Sequence, residues 1–243
     1  MNLNGADYDF DNISDPYLER LAREHRALED LREQSDLIDF EVLEREREKP
    51  NPPNAYLITY KVKSIIGIND DLTPIYGEEH KTEIRLPQSY PMVGASCYMK
   101  TDLWHPNIKF HGKEKGHICS NAKDFGKRYN LYFLAHRIGE ILQYKNYHAI
   151  EEPPHPDDEI VAEWVREYAE PKNIINKNEG KVVDDRPLLK PLEVKEKPDN
   201  FGGIRIISKR IVASDDGQKD TNNQVDNDKK DSNTGGGITI IPS

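Results

Sequence analysis

Apolar positions recur at helical spacing near the start of the chain. Leu18, Leu21, Leu28 and Leu31 share one face, interleaved with the charged residues Glu19, Arg23, Glu24 and Arg26. Such a stripe predicts an amphipathic helix whose apolar face must lie on something. Ser14-Asp15-Pro16 supplies a start, with a side chain able to accept from unpaired N–H groups and a proline in the first turn. The helix should end before Asp36. Residues 39–47 then alternate apolar and charged, a first strand with a helix as the competing reading, until the prolines of 49–54 break the chain.

Residues 55–66, 79–86 and 92–99 have strand character, and Asn69-Asp70-Asp71 and Pro87-Gln88-Ser89 supply turn residues between them. Successive strands on short polar connections predict an antiparallel meander of four strands. Residues 100–129 are irregular. Leu131, Leu134, Ile138, Ile141 and Leu142 then mark a helix with a wide apolar face. A proline-rich turn over 151–158 leads to another helix carrying Ile160, Val161, Trp164, Val165 and Tyr168, which Pro171 stops. Helix, sheet, irregular stretch and two helices predict an α+β domain over residues 14–170, after an N-terminal extension of residues 1–13.

Past Lys172 the pattern thins. Residues 171–243 are expected to be a largely disordered tail, almost wholly polar over 214–234. An apolar fraction of 35% and a mean hydropathy of -0.84 agree with a chain that does not fold from end to end. A net charge of -10 argues against a general nucleic-acid binder, which needs clustered Lys and Arg on phosphates. No run approaches the roughly 20 apolar residues of a membrane span, and the polar, acidic residues 1–11 are unlike a secretory signal. Cys97 and Cys119 are too few for a disulfide framework. The expectation is a cytoplasmic protein whose functional cysteine acts as a thiolate.

Between Tyr90 and Cys119 lie three separated motifs in a fixed order: Tyr90-Pro91, then His105-Pro106-Asn107-Ile108, then Gly116-His117-Ile118-Cys119. The ordered set resembles the ubiquitin-conjugating (E2) family, whose catalytic cysteine closes a G-x-I-C motif after H-P-N. The resemblance covers roughly residues 14–170. It implies the UBC fold: an N-terminal helix, a four-stranded antiparallel meander and C-terminal helices. Pro156-Asp157-Asp158 is similar to the family's acidic loop beside the active site. The chain departs from the family in an enlarged loop over 109–115, in Ser120-Asn121 after the cysteine, and in lacking a tryptophan shortly beyond it. These departures resemble a divergent branch, of the kind found in bacterial ubiquitination-like operons.

The resemblance makes Cys119 the acyl carrier, and thiol chemistry suits that role because a thiolate is both a good nucleophile and a good leaving group. It assigns Asn107 either to the oxyanion of the tetrahedral intermediate or to organising its loop, and His105 to holding that loop through its ring. Asp157 and Asp158 lie where the family supplies a carboxylate to the attacking lysine; a solvated helix cap explains the same residues. The implied partners are a ubiquitin-like modifier, an E1 activating enzyme that consumes ATP, and a protein substrate, with no bound cofactor. His105, His111, His117 and Cys119 raise the question of zinc, yet no tight second ligand pair supports it, and no metal is expected. Cys97 reads as core.

Ile204, Ile206 and Ile207, and again Ile238, Ile240 and Ile241, form two Ile-x-Ile-Ile motifs in the tail. They resemble the short motifs that add a strand to the edge of SUMO; a strand on this chain's own sheet edge, or a contact with an E1 or a substrate, remain alternatives. Two rivals stand beside the carrier reading. One is a non-catalytic E2-variant module that binds a ubiquitin-like protein. The other is a thiol hydrolase with His117 as the base, since residues two apart on an extended segment point the same way.

Overall fold

The computed structural model describes residues 13–43, 52–118 and 130–191, all within one compact unit, Met1–Glu193. Helix α1, Pro16–Gln34, starts where Asp15 accepts from the N–H groups of Tyr17 and Leu18, at 2.8 and 3.2 Å. Its face of Leu21, Leu28 and Leu31 is buried. Strands β1 (Ile38–Val42), β2 (Ala55–Tyr60), β5 (His80–Arg85) and β6 (Ser96–Met99) form one antiparallel sheet in the order β1-β2-β5-β6. Ile38, Phe40, Tyr56, Ile58, Tyr60, Ile84, Cys97 and Met99 turn inward, as strand alternation requires. Asp39, Glu41, Arg85 and Tyr98 face out.

The meander differs from expectation in one respect. The apolar run over 55–66 is not one strand. After Tyr60 the chain leaves the sheet, and β3 (Ser64–Ile68) pairs with β4 (Pro74–Gly77) in a separate two-stranded ribbon. The cause lies far along the chain. The Lys63 N–H donates to Asp184 Oδ2 at 2.8 Å, and Arg186 Nη2 donates to the Lys61 carbonyl at 3.1 Å. Those backbone groups are thus held by a C-terminal segment rather than by a neighbouring strand. Strand β6 is also shorter than residues 92–99, because the chain turns after Pro91, with the Val93 N–H on the Ser89 carbonyl.

Helix α2, Leu131–Leu142, is capped by Asn130 and buries Leu131, Leu134, Ile138, Ile141 and Leu142 against the sheet core. Helix α3, Glu159–Trp164, is capped by Asp158 and continues into a wider, π-helical turn over Val165–Ala169. A second core gathers Ile65, Trp104, Tyr144, Val161, Trp164 and Ile175. It ties the ribbon to α3: the Trp164 indole N–H donates to the Leu72 carbonyl at 3.0 Å.

The packed unit does not stop at residue 170. Ile175 is buried, and Leu188 fills the space above Gly139, where an added Cβ would lie 2.8 Å from Leu188 Cδ1. The Ser35 hydroxyl donates to the Leu188 carbonyl, and the Lys190 N–H to the Gln34 carbonyl at 2.8 Å. Residues 171–191 therefore form a strap that closes on the end of α1, not the start of a tail. It has no periodic pattern because single residues anchor it, each in a pocket built by other elements. The six isoleucines of the tail motifs lie outside the described residues, as do residues 1–12. Among the described residues no helix is long and apolar enough to cross a membrane.

Candidate active site

Cys119 lies outside the described residues, immediately after Ile118. What precedes it is held tightly. The Ile118 N–H donates to the Cys97 carbonyl at 3.1 Å, and its buried side chain sits opposite Ile108. His117 pairs with Tyr98 of β6. Gly116 gives its carbonyl to the Met99 N–H at 2.7 Å and its N–H to the Lys109 carbonyl at 2.7 Å, with φ at +90°. Residues 116–118 thus add a short edge to β6, and glycine is required at its entry.

The enlarged loop 109–115 is pinned to the acidic turn. Asp158, almost fully buried, receives the N–H groups of Phe110 and His111 at 2.9 Å each and the His111 ring at 3.0 Å. Its other oxygen caps α3 through the Val161 N–H. Burial alone would push its pKa up, but the His111 backbone and ring, with the Val161 and Phe110 N–H groups, more than offset that and hold it below the ordinary carboxylate value. Asp157 faces the other way. Its Oδ2 lies 3.0 Å from His117 Nδ1, and its carbonyl accepts from Lys109 Nζ at 3.0 Å. Both backbone N–H groups of the pair converge on the Pro106 carbonyl, at 2.8 and 3.1 Å. The turn over 105–108, the loop over 109–117 and the acidic pair are one connected piece.

Within it, Asn107 Oδ1 accepts from the His148 N–H at 2.9 Å. That bond fixes which way the amide faces and leaves its NH2 as the donor on the opposite side. His105 is fully buried, its ring 4.5 Å from that of Tyr144, and its Nδ1 accepts from the Asn107 N–H at 3.1 Å. Burial pushes its pKa down to about 3, so the ring is neutral and turned away from solvent. Cys97 is buried in β6, its thiol pushed up to about 12 by that burial.

An N-terminal helix against a four-stranded antiparallel meander, followed by the His105-Pro106-Asn107 turn beside the sheet and by two further helices, is the arrangement that the sequence resemblance implies. The fold is E2-like. Among solved structures, the chain is similar to human ubiquitin-conjugating enzyme E2 G1, at 16% identity and a TM-score of 0.35, over 50% of this chain and 92% of that one. It is also similar to the E2 domain of a Toxoplasma gondii ubiquitin conjugating enzyme, at 18% identity and a TM-score of 0.40, over 60% and 86% of the two chains. No family model and no curated protein matches the E2-like chain.

Sequence reasoning passed over Glu24, which the helical pattern counts among the charged spacers of α1. Its carboxylate is fully buried and takes Arg20 Nε at 2.5 Å, the Tyr90 hydroxyl at 2.9 Å and the Leu131 N–H at 2.5 Å. One side chain therefore joins α1, the Tyr90-Pro91 turn and the first residue of α2. Its neighbours in sequence give no sign of this, because all three donors but Arg20 are remote.

The E2-like domain also buries neutral imidazoles. His25, on α1 against Phe40 and Tyr56, is lowered to about 4 by burial and then by the charge of Arg32, and His105 to about 3. An unfolded histidine takes up its proton near pH 6.5. These two therefore contribute stability that is complete above that pH and is lost as pH falls toward their folded values. At pH 5 each has lost about 2 kcal/mol at 1.36 kcal/mol per unit. Urea midpoints at pH 7 and pH 5 should differ accordingly, and the difference should shrink in His25→Asn. Equal midpoints at the two pH values would mean that neither ring is held neutral.

Proposed function

We propose that this E2-like chain carries a ubiquitin-like modifier as a thioester on Cys119 and passes it to an amine of a protein substrate. The observation that supports it best is the rigid hold on residues 105–118 directly before Cys119, with the Asn107 amide set by His148. A reacting thiol needs such a frame, because the barrier depends on the geometry of its neighbours. Cys119 accepts the modifier from an E1 that consumes ATP. Its thiolate then leaves when an amine attacks the thioester carbonyl. The NH2 of Asn107 is a neutral donor for the oxyanion of that step. Asp158 is committed as a cap and loop anchor, so of the two acidic candidates Asp157 is the one with a part in the chemistry.

Intact mass after incubation with a ubiquitin-like modifier, its E1 and ATP tests the reading. One modifier should add to the chain and be removed by reductant, whereas Cys119→Ser should hold it as an ester that reductant leaves intact. No adduct with an E1 of demonstrated activity would leave a non-catalytic binding module as the better account.

A further inference from the structure

We infer that Arg166 is a positioning residue for Asn107, acting through the main chain at His148; this rests on Asn107 as the donor in the proposed transfer. Asn107 Oδ1 takes its hydrogen bond from the His148 N–H at 2.9 Å, across 41 residues of chain. The direction of the amide therefore follows the placement of that backbone group. His148 lies outside every helix and strand, so no ladder of backbone bonds places it. Something else must hold it.

It is bracketed from α3 and the π-helical turn that continues it. Arg166 Nη1 donates to the carbonyl of Ala149, the residue directly after His148. Its Nη2 donates to Glu159 Oε1 at 2.7 Å, and lies 3.7 Å from Glu151 Oε1. Directly before His148, the Tyr147 hydroxyl donates to Glu170 Oε1 at 2.5 Å. The His148 ring closes the turn, with Nε2 donating to the Glu152 carbonyl at 2.9 Å.

Tyr147 and His148 are tied by side-chain ends that can turn about their own bonds. Arg166 grips the main chain itself, one residue beyond the N–H that Asn107 uses. A guanidinium is planar and presents its donors in a fixed fork, which a lysine ammonium lacks. Seated on Ala149 and Glu159 at once, it fixes the spacing of the turn from the helix. Glu151 and Glu159 keep 77% and 53% of their side-chain exposure. Exposed pairs of that kind contribute little stability, so the part of Arg166 is to set geometry. A misplacement of about 1 Å at a support remote from the chemistry is enough to slow a reaction severely.

Two readouts on the full chain separate the clamp from the chemistry. Amide hydrogen exchange needs no thioester. The His148 N–H should exchange about tenfold faster in Arg166→Ala, with Arg166→Lys between, while the amides of β2 and β5 keep their protection. For the second readout the chain is acylated at Cys119 by exchange with the 2-mercaptoethanesulfonate thioester of N-acetylglycylglycine, freed of excess reagent and given free lysine. Intact mass follows loss of the acyl group, with Cys119→Ser to confirm its position. Asn107→Ala should slow discharge about 10²-fold and Arg166→Ala about tenfold, with the half-saturating lysine concentration unchanged. Millimolar guanidinium should restore part of the Arg166→Ala rate, and Arg166→Ala should cost nothing further once Asn107 is alanine. Unchanged exchange at His148, discharge of Arg166→Ala at the wild-type rate, or equal slowing with and without Asn107 overturns the positioning role alone. Discharge indifferent to Asn107→Ala, or a wild-type chain that takes neither this acyl group nor a modifier from an active E1, overturns the proposed function and the inference with it.

Discussion

Replacing Glu24 by alanine is expected to remove about 3–5 kcal/mol of stability, the usual penalty for breaking a buried ion pair from one side. The size follows from what the carboxylate leaves behind. Arg20 loses that carboxylate and keeps its bond to the Tyr90 hydroxyl, while the Tyr90 hydroxyl and the Leu131 N–H lose their acceptor away from water. The Tyr90 phenol is held protonated, pushed up first by burial and then by the Glu24 charge, so it donates to Glu24 while its oxygen accepts from Arg20 Nη2 at 3.2 Å. Glu24→Gln keeps the shape and one acceptor oxygen, and should lose about half as much. Urea denaturation at neutral pH measures both. A loss below about 1 kcal/mol in the alanine variant, the range of an exposed pair, would show that the three donors find other partners.

Gly116→Ala should be the most damaging single methyl in the domain. An added Cβ would lie 2.6 Å from the Met99 carbonyl oxygen, a backbone atom that strand pairing prevents from moving aside. The φ of +90° adds strain of about 1–2 kcal/mol for an L residue. The strand edge formed by residues 116–118 must shift off β6, and the residue it leads to is Cys119, the proposed carrier. A displacement of about 1 Å is enough for roughly 10²-fold in rate. Thioester formation by the variant should fall by that factor while its circular dichroism stays that of a folded α+β domain. Loading at the wild-type rate would mean that the segment tolerates a different path.

Local signals carried the elements, and long-range ones did not. Asp15 before Pro16, the leucines of α1 and the apolar face of α2 were all legible, because capping and periodicity are properties of neighbouring residues. The break at residues 61–63 was not, since it depends on Asp184 and Arg186. Nor was the strap, whose anchors Ile175 and Leu188 are isolated in a polar stretch. At the site, the motif order singled out residues 105–108 and 116–119 but could not divide Asp157 from Asp158. Adjacent residues differ in direction only once the backbone is placed: one carboxylate turns inward to cap α3, the other outward to His117. The bond from His148 to Asn107 spans 41 residues and has no sequence signature.

The strap also dictates an order of events as the chain is made. The groove over Gly139 and the exposed end of α1 are closed by Leu188 and Lys190, which come near the C-terminal limit of the packed unit. While the chain leaves the ribosome at about 5–20 residues per second, the sheet and both major helices are already available, but their shared core stays open on that side. A nascent chain paused short of residue 188 therefore leaves the surface of α2 at Gly139, beside Tyr60, uncovered. The finished protein covers it with its own next turn of chain.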